Sequence, residues 1–271
     1  MRGLAFLLLF LCLGWQPAQA APTDGVTGPA LEDMTWTELR EQIRAGRTTV
    51  LIPIGGTEQS GPALTLGKHN VRVRILAGRI AAGLGDAIVA PVLPYVPEGA
   101  IAPPTSHMRF PGTISIPDAT FEALLEAAAA SLRVHGFRNV VLLGDHGGYQ
   151  ADLRRVAERL NRAWKGSGAQ VLVPTEYYDS SSAGFAATLR EHGLRDNEIG
   201  THAGLADSSL QLALAPESVR AERLRLSPPP GAADGVYGGD PRRASAELGR
   251  LGADAIVTNT IAALRRTIGA R

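Results

Sequence analysis

Residues 139–150 read NVVLLGDHGGYQ. The first six show no polar/apolar alternation and have the length of a strand buried on both faces, as in a parallel sheet. The run then breaks into a polar turn with two glycines, and ADLRRVAERLNRAW (151–164) follows with helical spacing. TTVLIPIGG (48–56) repeats the theme: a buried strand that runs into a Gly-Gly turn. DAIVAPVLPYV (86–96) and AQVLVPTEY (169–177) read as two further strands, with Pro91 and Pro94 limiting the former.

Helical patterns separate these strands. MTWTELREQIRAG (34–46) carries Thr35 and Glu38 at capping-box spacing. VRVRILAGRIAAG (71–83) and DATFEALLEAAAASLRVHG (118–136) suit helices, the second with Asp118 as its cap. DSSLQLALAPESVRA (207–221) reads as helical up to Pro216. The C-terminal stretch 244–269 reads as a helix with a break near Gly252, or as a helix interrupted by a strand at AIVT (255–258); helix is the preferred reading. Strand–helix–strand repetition predicts an α/β fold, a mostly parallel central sheet flanked by helices. Its chemistry is expected beyond the C-terminal ends of the strands.

The first 20 residues, MRGLAFLLLFLCLGWQPAQA, place Arg2 before an apolar run and small residues at Ala18 and Ala20. This is the pattern of a signal peptide cut after Ala20, too short for a span of about 20 apolar residues. The domain expectation is therefore 1–20 signal peptide and 21–271 a single domain, periplasmic or secreted. Cys12, the only cysteine, falls within the leader, so no disulfide is available and a large core must hold the protein. The formal net charge is +1, and removal of Arg2 brings it to zero. Nothing steers the chain toward nucleic acid or an anionic membrane.

The chain has six histidines. His135 and His192 sit near predicted helix ends. His69, His107, His146 and His202 sit in loops beside glycines or Ser/Thr. His146, between a buried strand and two glycines, is open to a structural or a functional reading. Asp145 can hold an imidazole or cap the next helix, and Asp207 can cap a helix or face a site. Glu58, His69 and His146 together offer one oxygen and two nitrogens, the three-ligand set of a catalytic zinc site with one position left for water. The chain has no HExxH helix, CxxC pair or Walker loop, and no serine stands in a G-x-S-x-G elbow.

Five stretches in order, PIGGTEQSGP…LGKH (53–69), RFPGTISI (109–116), LLGDHGGYQ (142–150), THAGLADSSLQLALAPESV (201–219) and GVYGGDPRRASAELG (235–249), resemble the creatininase, or creatinine amidohydrolase, family. The resemblance implies a creatininase-like three-layer sandwich and metal-dependent hydrolysis of an amide C–N bond. It also implies zinc or manganese as cofactor, a small-molecule amide substrate such as a cyclic or formyl amide, and a homo-oligomer. Glu58 matches the family's first metal-binding glutamate and His146 its metal histidine. His69 falls at the position of the bridging aspartate. His202 matches a position that resembles a catalytic proton shuttle, and Asp207 stands for a glutamate.

Other positions depart from the pattern. Ser60 and Gly148 replace two metal ligands, Ala63 replaces a histidine, and Asp145 replaces a glycine. The expectation is one ion per chain, held by Glu58, His69 and His146, with His202 or Asp207 as the acid/base group. The competing expectation is an exported, non-catalytic binding or scaffold protein on the same fold.

Overall fold

The computed structural model describes residues 28–269. The leader expected at 1–20 lies outside the described residues. Among the latter, β1 (Thr49–Ile54), β2 (Ala87–Val89), β3 (Asn139–Gly144) and β4 (Gln170–Leu172) form a parallel sheet in the order β2-β1-β3-β4. β1 and β3 pair along their full lengths, from Thr49 opposite Asn139 to Ile54 opposite Gly144.

Side chains alternate across these two central strands, and both faces are apolar. Val50, Ile52, Ile54, Val140 and Leu142 enter one layer, against Phe121 and Leu125 of α3 (Asp118–Val134) and Leu153 and Val156 of α4 (Gln150–Ala163). Leu51, Val141 and Leu143 enter the other, against Leu76 and Ile80 of α2 (Lys68–Leu84) and Ile256 of α10 (Ala246–Gly269). The result is the three-layer α/β arrangement that the sequence predicts. Each fully buried Val, Leu or Ile contributes about 1.5–3 kcal/mol.

From β1 the chain passes through α2 to β2 on one side of the sheet. From β3 it passes through α4 to β4 on the other. The strand order reverses between β1 and β3, so a crevice opens beyond their C-terminal ends. Glu58 follows β1, and Asp145 and His146 follow β3.

Several boundaries differ from the sequence reading. The strands at 86–96 and 169–177 shorten to three residues each, β2 and β4. α2 begins at Lys68, so His69 and Asn70 lie in its first turn and not in a loop. No side chain caps this helix at Gly67. Instead the Lys68 amide donates to Thr65 O, and Asn70 Oδ1 accepts from Gly56 N at 2.9 Å, tying the helix start to the end of β1. Asp118 is the first residue of α3 and Pro117 takes the cap position. α10 runs through Gly252 unbroken. A Cβ there would lie 2.8 Å from the Phe185 ring in α6 (Phe185–Glu191), so this glycine permits close packing rather than a break. The Thr35/Glu38 capping box opens α1 (Trp36–Arg44) as expected. His135 and His192 are the C-cap residues of α3 and α6.

Candidate metal centre

Glu58 is fully buried and its two oxygens face different neighbours. Oε1 lies 2.9 Å from His69 Nε2 and 3.4 Å from Lys68 Nζ. Oε2 lies 3.3 Å from His107 Nε2 and 3.5 Å from His146 Nε2, and has no hydrogen-bond donor. Glu98, from the segment between β2 and α3, approaches the same place, with Oε2 3.6 Å from His146 Nδ1. Ser115 holds it there, since Ser115 Oγ accepts from the Glu98 amide and donates to Gly99 O. The bare backbone of Gly56 (φ +154°) makes room, because a Cβ would lie 2.5 Å from Glu98 Oε1.

Glu58, Glu98, His107 and His146 each present one ligand atom, and these atoms all lie within 4.8 Å of one another. Both Glu98 oxygens, like Glu58 Oε2, are buried without a donor. Burial and the neighbouring Glu58 charge push Glu98 up to about 10. Burial pulls His146 down to about 4 and lowers His107 too, so both rings keep a lone pair at neutral pH. With both ionised, two facing carboxylates beside two neutral imidazoles are unfavourable alone, which keeps Glu98 neutral, and favourable around a divalent cation. The mixed oxygen and nitrogen donor set suits zinc or manganese.

On the Oε1 side the polar groups satisfy one another. Lys68 Nζ donates to Asp207 Oδ2 at 2.8 Å, and Arg72 reaches Asp207 Oδ1 at 2.9 Å and Asp145 Oδ2 at 2.8 Å. Asp145 also meets His69 Nδ1 at 2.6 Å and accepts from Tyr177 OH at 2.8 Å. Burial would raise both aspartates, but Arg72 holds Asp145 below its ordinary value, and Lys68 with Arg72 holds Asp207 well below. Burial would likewise raise Glu58, but Lys68 and the His69 contact hold it well below. Tyr149 ties β1 to β3: its hydroxyl accepts from the amides of Asp145 and His146 and lies 2.7 Å from the carbonyls of Ile54 and Gly55.

His202 completes the group. Its Nε2 lies 3.0 Å from Gln59 O and 3.1 Å from Gln59 Nε2, and its Nδ1 lies 3.5 Å from Lys68 Nζ and 3.6 Å from Glu58 Oε1. Burial, followed by the Lys68 charge, lowers His202 to about 3. A cavity of about 440 Å³ opens here, walled by Lys68, His107, His146, Tyr178, Ser182 and His202 among others. This is the size range of small-molecule sites.

The creatininase family profile, described as creatinine amidohydrolase, matches residues 32–264. The chain belongs to the creatininase family. A creatinine amidohydrolase of Pseudomonas putida is 27% identical over 200 residues, spanning 73% of this chain and 76% of its own. A mycofactocin precursor peptide peptidase of Mycolicibacterium smegmatis is 28% identical over 193 residues, spanning 69% and 66%. A crystal structure of creatininase superposes with a TM-score of 0.72 at 25% identity, covering 89% of this chain and 98% of that one. Similar creatininase structures include a mutant of Zn–Zn type, an Mn form and a mutant complexed with creatine.

Within this creatininase fold the structure brings together all five residues singled out from the sequence. Glu58 and His146 stand in the four-residue group. His69 stands next to it, with each ring nitrogen facing a carboxylate oxygen. His202 and Asp207 line the cavity. Asp207 is the third residue of α8 (Leu205–Leu214), not its cap, and its Oδ2 accepts from Ala203 N at 2.9 Å. Sequence reasoning missed Glu98 and assigned no role to His107, Lys68 or Arg72. A Cβ on Gly148, where creatininase resemblance places a glutamate ligand, would lie 3.7 Å from Pro97 O. The segment carrying Glu98 thus passes beside the lost ligand position.

Proposed function

We propose that this creatininase-family chain is a metal-dependent amidohydrolase acting on a small cyclic amide or related C–N bond. Its resident cation, zinc first and manganese second, is held one per chain by Glu58, Glu98, His107 and His146. The observation that carries this reading is the set of three buried, donorless carboxylate oxygens beside two neutral imidazoles. When bound, the cation supplies Lewis acidity that polarises a carbonyl and makes a neighbouring water more acidic. The cavity wall holds the substrate amide against this group. In this reading Glu58 and His146 keep the ligand role expected from the sequence, and His69 orients Glu58 from outside.

His202, kept neutral by burial, takes up a proton and returns it to the leaving nitrogen. Asp207, with both oxygens engaged by cations, positions Lys68 and Arg72 and keeps its negative charge.

The test is a purified chain beginning at residue 21, assayed for metal by elemental mass spectrometry and screened against cyclic and formyl amides. Turnover that disappears with a chelator and returns with zinc or manganese is expected. Bound metal without turnover on any amide would favour the non-catalytic binding protein instead. We also propose export and self-association, as the leader pattern and the family resemblance suggest. A native N-terminus at Ala21 and a light-scattering mass above that of one chain are the expected results.

A further inference from the structure

Lys68 is an unusual residue for its place. It is wholly buried and opens α2, where the helix already presents positive partial charge. An ammonium in that position is unfavourable unless anions surround it. They do: Asp207 Oδ2 lies at 2.8 Å and Glu58 Oε1 at 3.4 Å, with Nδ1 of His202 at 3.5 Å. Two carboxylates and an imidazole around one point are also the donors a divalent ion would use. Lys68 Nζ sits among them as a cation attached to the chain.

Glu58 links this point to the candidate metal centre. One of its oxygens faces Nζ, while the other faces His107 and His146 and has no donor. We infer that Lys68 Nζ serves as a built-in second cation, so that Glu58 is shared between a divalent ion on one side and an ammonium on the other, and the chain takes only one ion. Arg72 reinforces the exclusion by occupying Asp145 and the second oxygen of Asp207. A mutant creatininase exists in a Zn–Zn type; here the charge of a second ion is supplied by a side chain. Lys68 is a positioning residue: it fixes the orientation of Glu58. The inference rests on the metal-dependent reading above.

The experiment is equilibrium dialysis of the metal-free protein (residues 21–271) against ZnCl2 and, separately, MnCl2, with bound metal counted by elemental mass spectrometry. Wild type is expected to stop at one ion per chain. Lys68→Ala is expected to rise toward two as metal increases, because Glu58, Asp207 and His202 are released to a second ion. Lys68→Ser, read in the same way, replaces Lys68→Ala if that variant does not fold. Two ions in wild type would overturn the inference and leave the proposed function standing. No ion in wild type would overturn both. A folded Lys68 variant that stays at one ion in excess metal would also overturn the inference.

Discussion

On one side of the Glu58 carboxylate, Lys68, Arg72, Asp145, Asp207 and Tyr177 saturate one another. On the other side, three buried oxygens have no donor at all. Both sides are ionisable, buried and close to the same cavity. The difference between them separates groups that hold the site's shape from groups that await a ligand. A saturated network resists change, because removing one member strands the others. An unsaturated cluster gains most from an added cation, and loses little stability without one of its members.

Substitutions can break this comparison. Asp145→Asn should have the largest effect, because it leaves Arg72 buried without its main counter-charge. A loss of roughly 3–5 kcal/mol is expected in urea unfolding of the metal-free protein. Glu98→Gln should behave oppositely. Burial already favours the neutral form of Glu98, so metal-free stability should change by less than about 1 kcal/mol, while zinc affinity falls by more than the roughly 10–100-fold that loss of an outer partner produces. Calorimetric titration and unfolding on the same sample separate the two effects; if Glu98→Gln unfolds the protein and spares metal binding, the division is wrong.

Tyr149→Phe sharpens the same division from the backbone side. It removes the acceptor of the Asp145 and His146 amides and should cost about 1–3 kcal/mol, read as a lower urea midpoint. The smallest effect belongs to the surface. Backbone and side-chain contacts from Arg195, with help from Arg243, hold Glu198 at about 2. That contribution is present above the unfolded carboxylate range and is lost as pH falls through about 2. The Tm gap between wild type and Glu198→Gln should therefore be narrower at pH 3 than at pH 7.

The central fold was legible because β1 and β3 are uninterrupted apolar runs, and their turns announced where Glu58 and His146 stand. β2 and β4 were overextended, since apolar residues beyond Val89 and Leu172 continue without sheet pairing beyond isolated bridges. Glu98 carried no local signal: it follows a proline in a segment without periodicity. The length of that segment, 97–117, was the available clue. Lys68 and Arg72 carried no signal that set them apart from helix-surface cations. Their four-residue spacing puts them on one helix face with His69 close by, but only the fold shows that this face is turned inward against carboxylates.

The segment from 97 to 117 has a further consequence. Glu98 and His107 are buried, whereas residues 100–106 between them are exposed. A cation gripping both ends would fasten this stretch like a clasp. Limited proteolysis should then report loading without any substrate: cutting between Glu98 and His107 should be quick in the stripped protein and slow once the cation is bound.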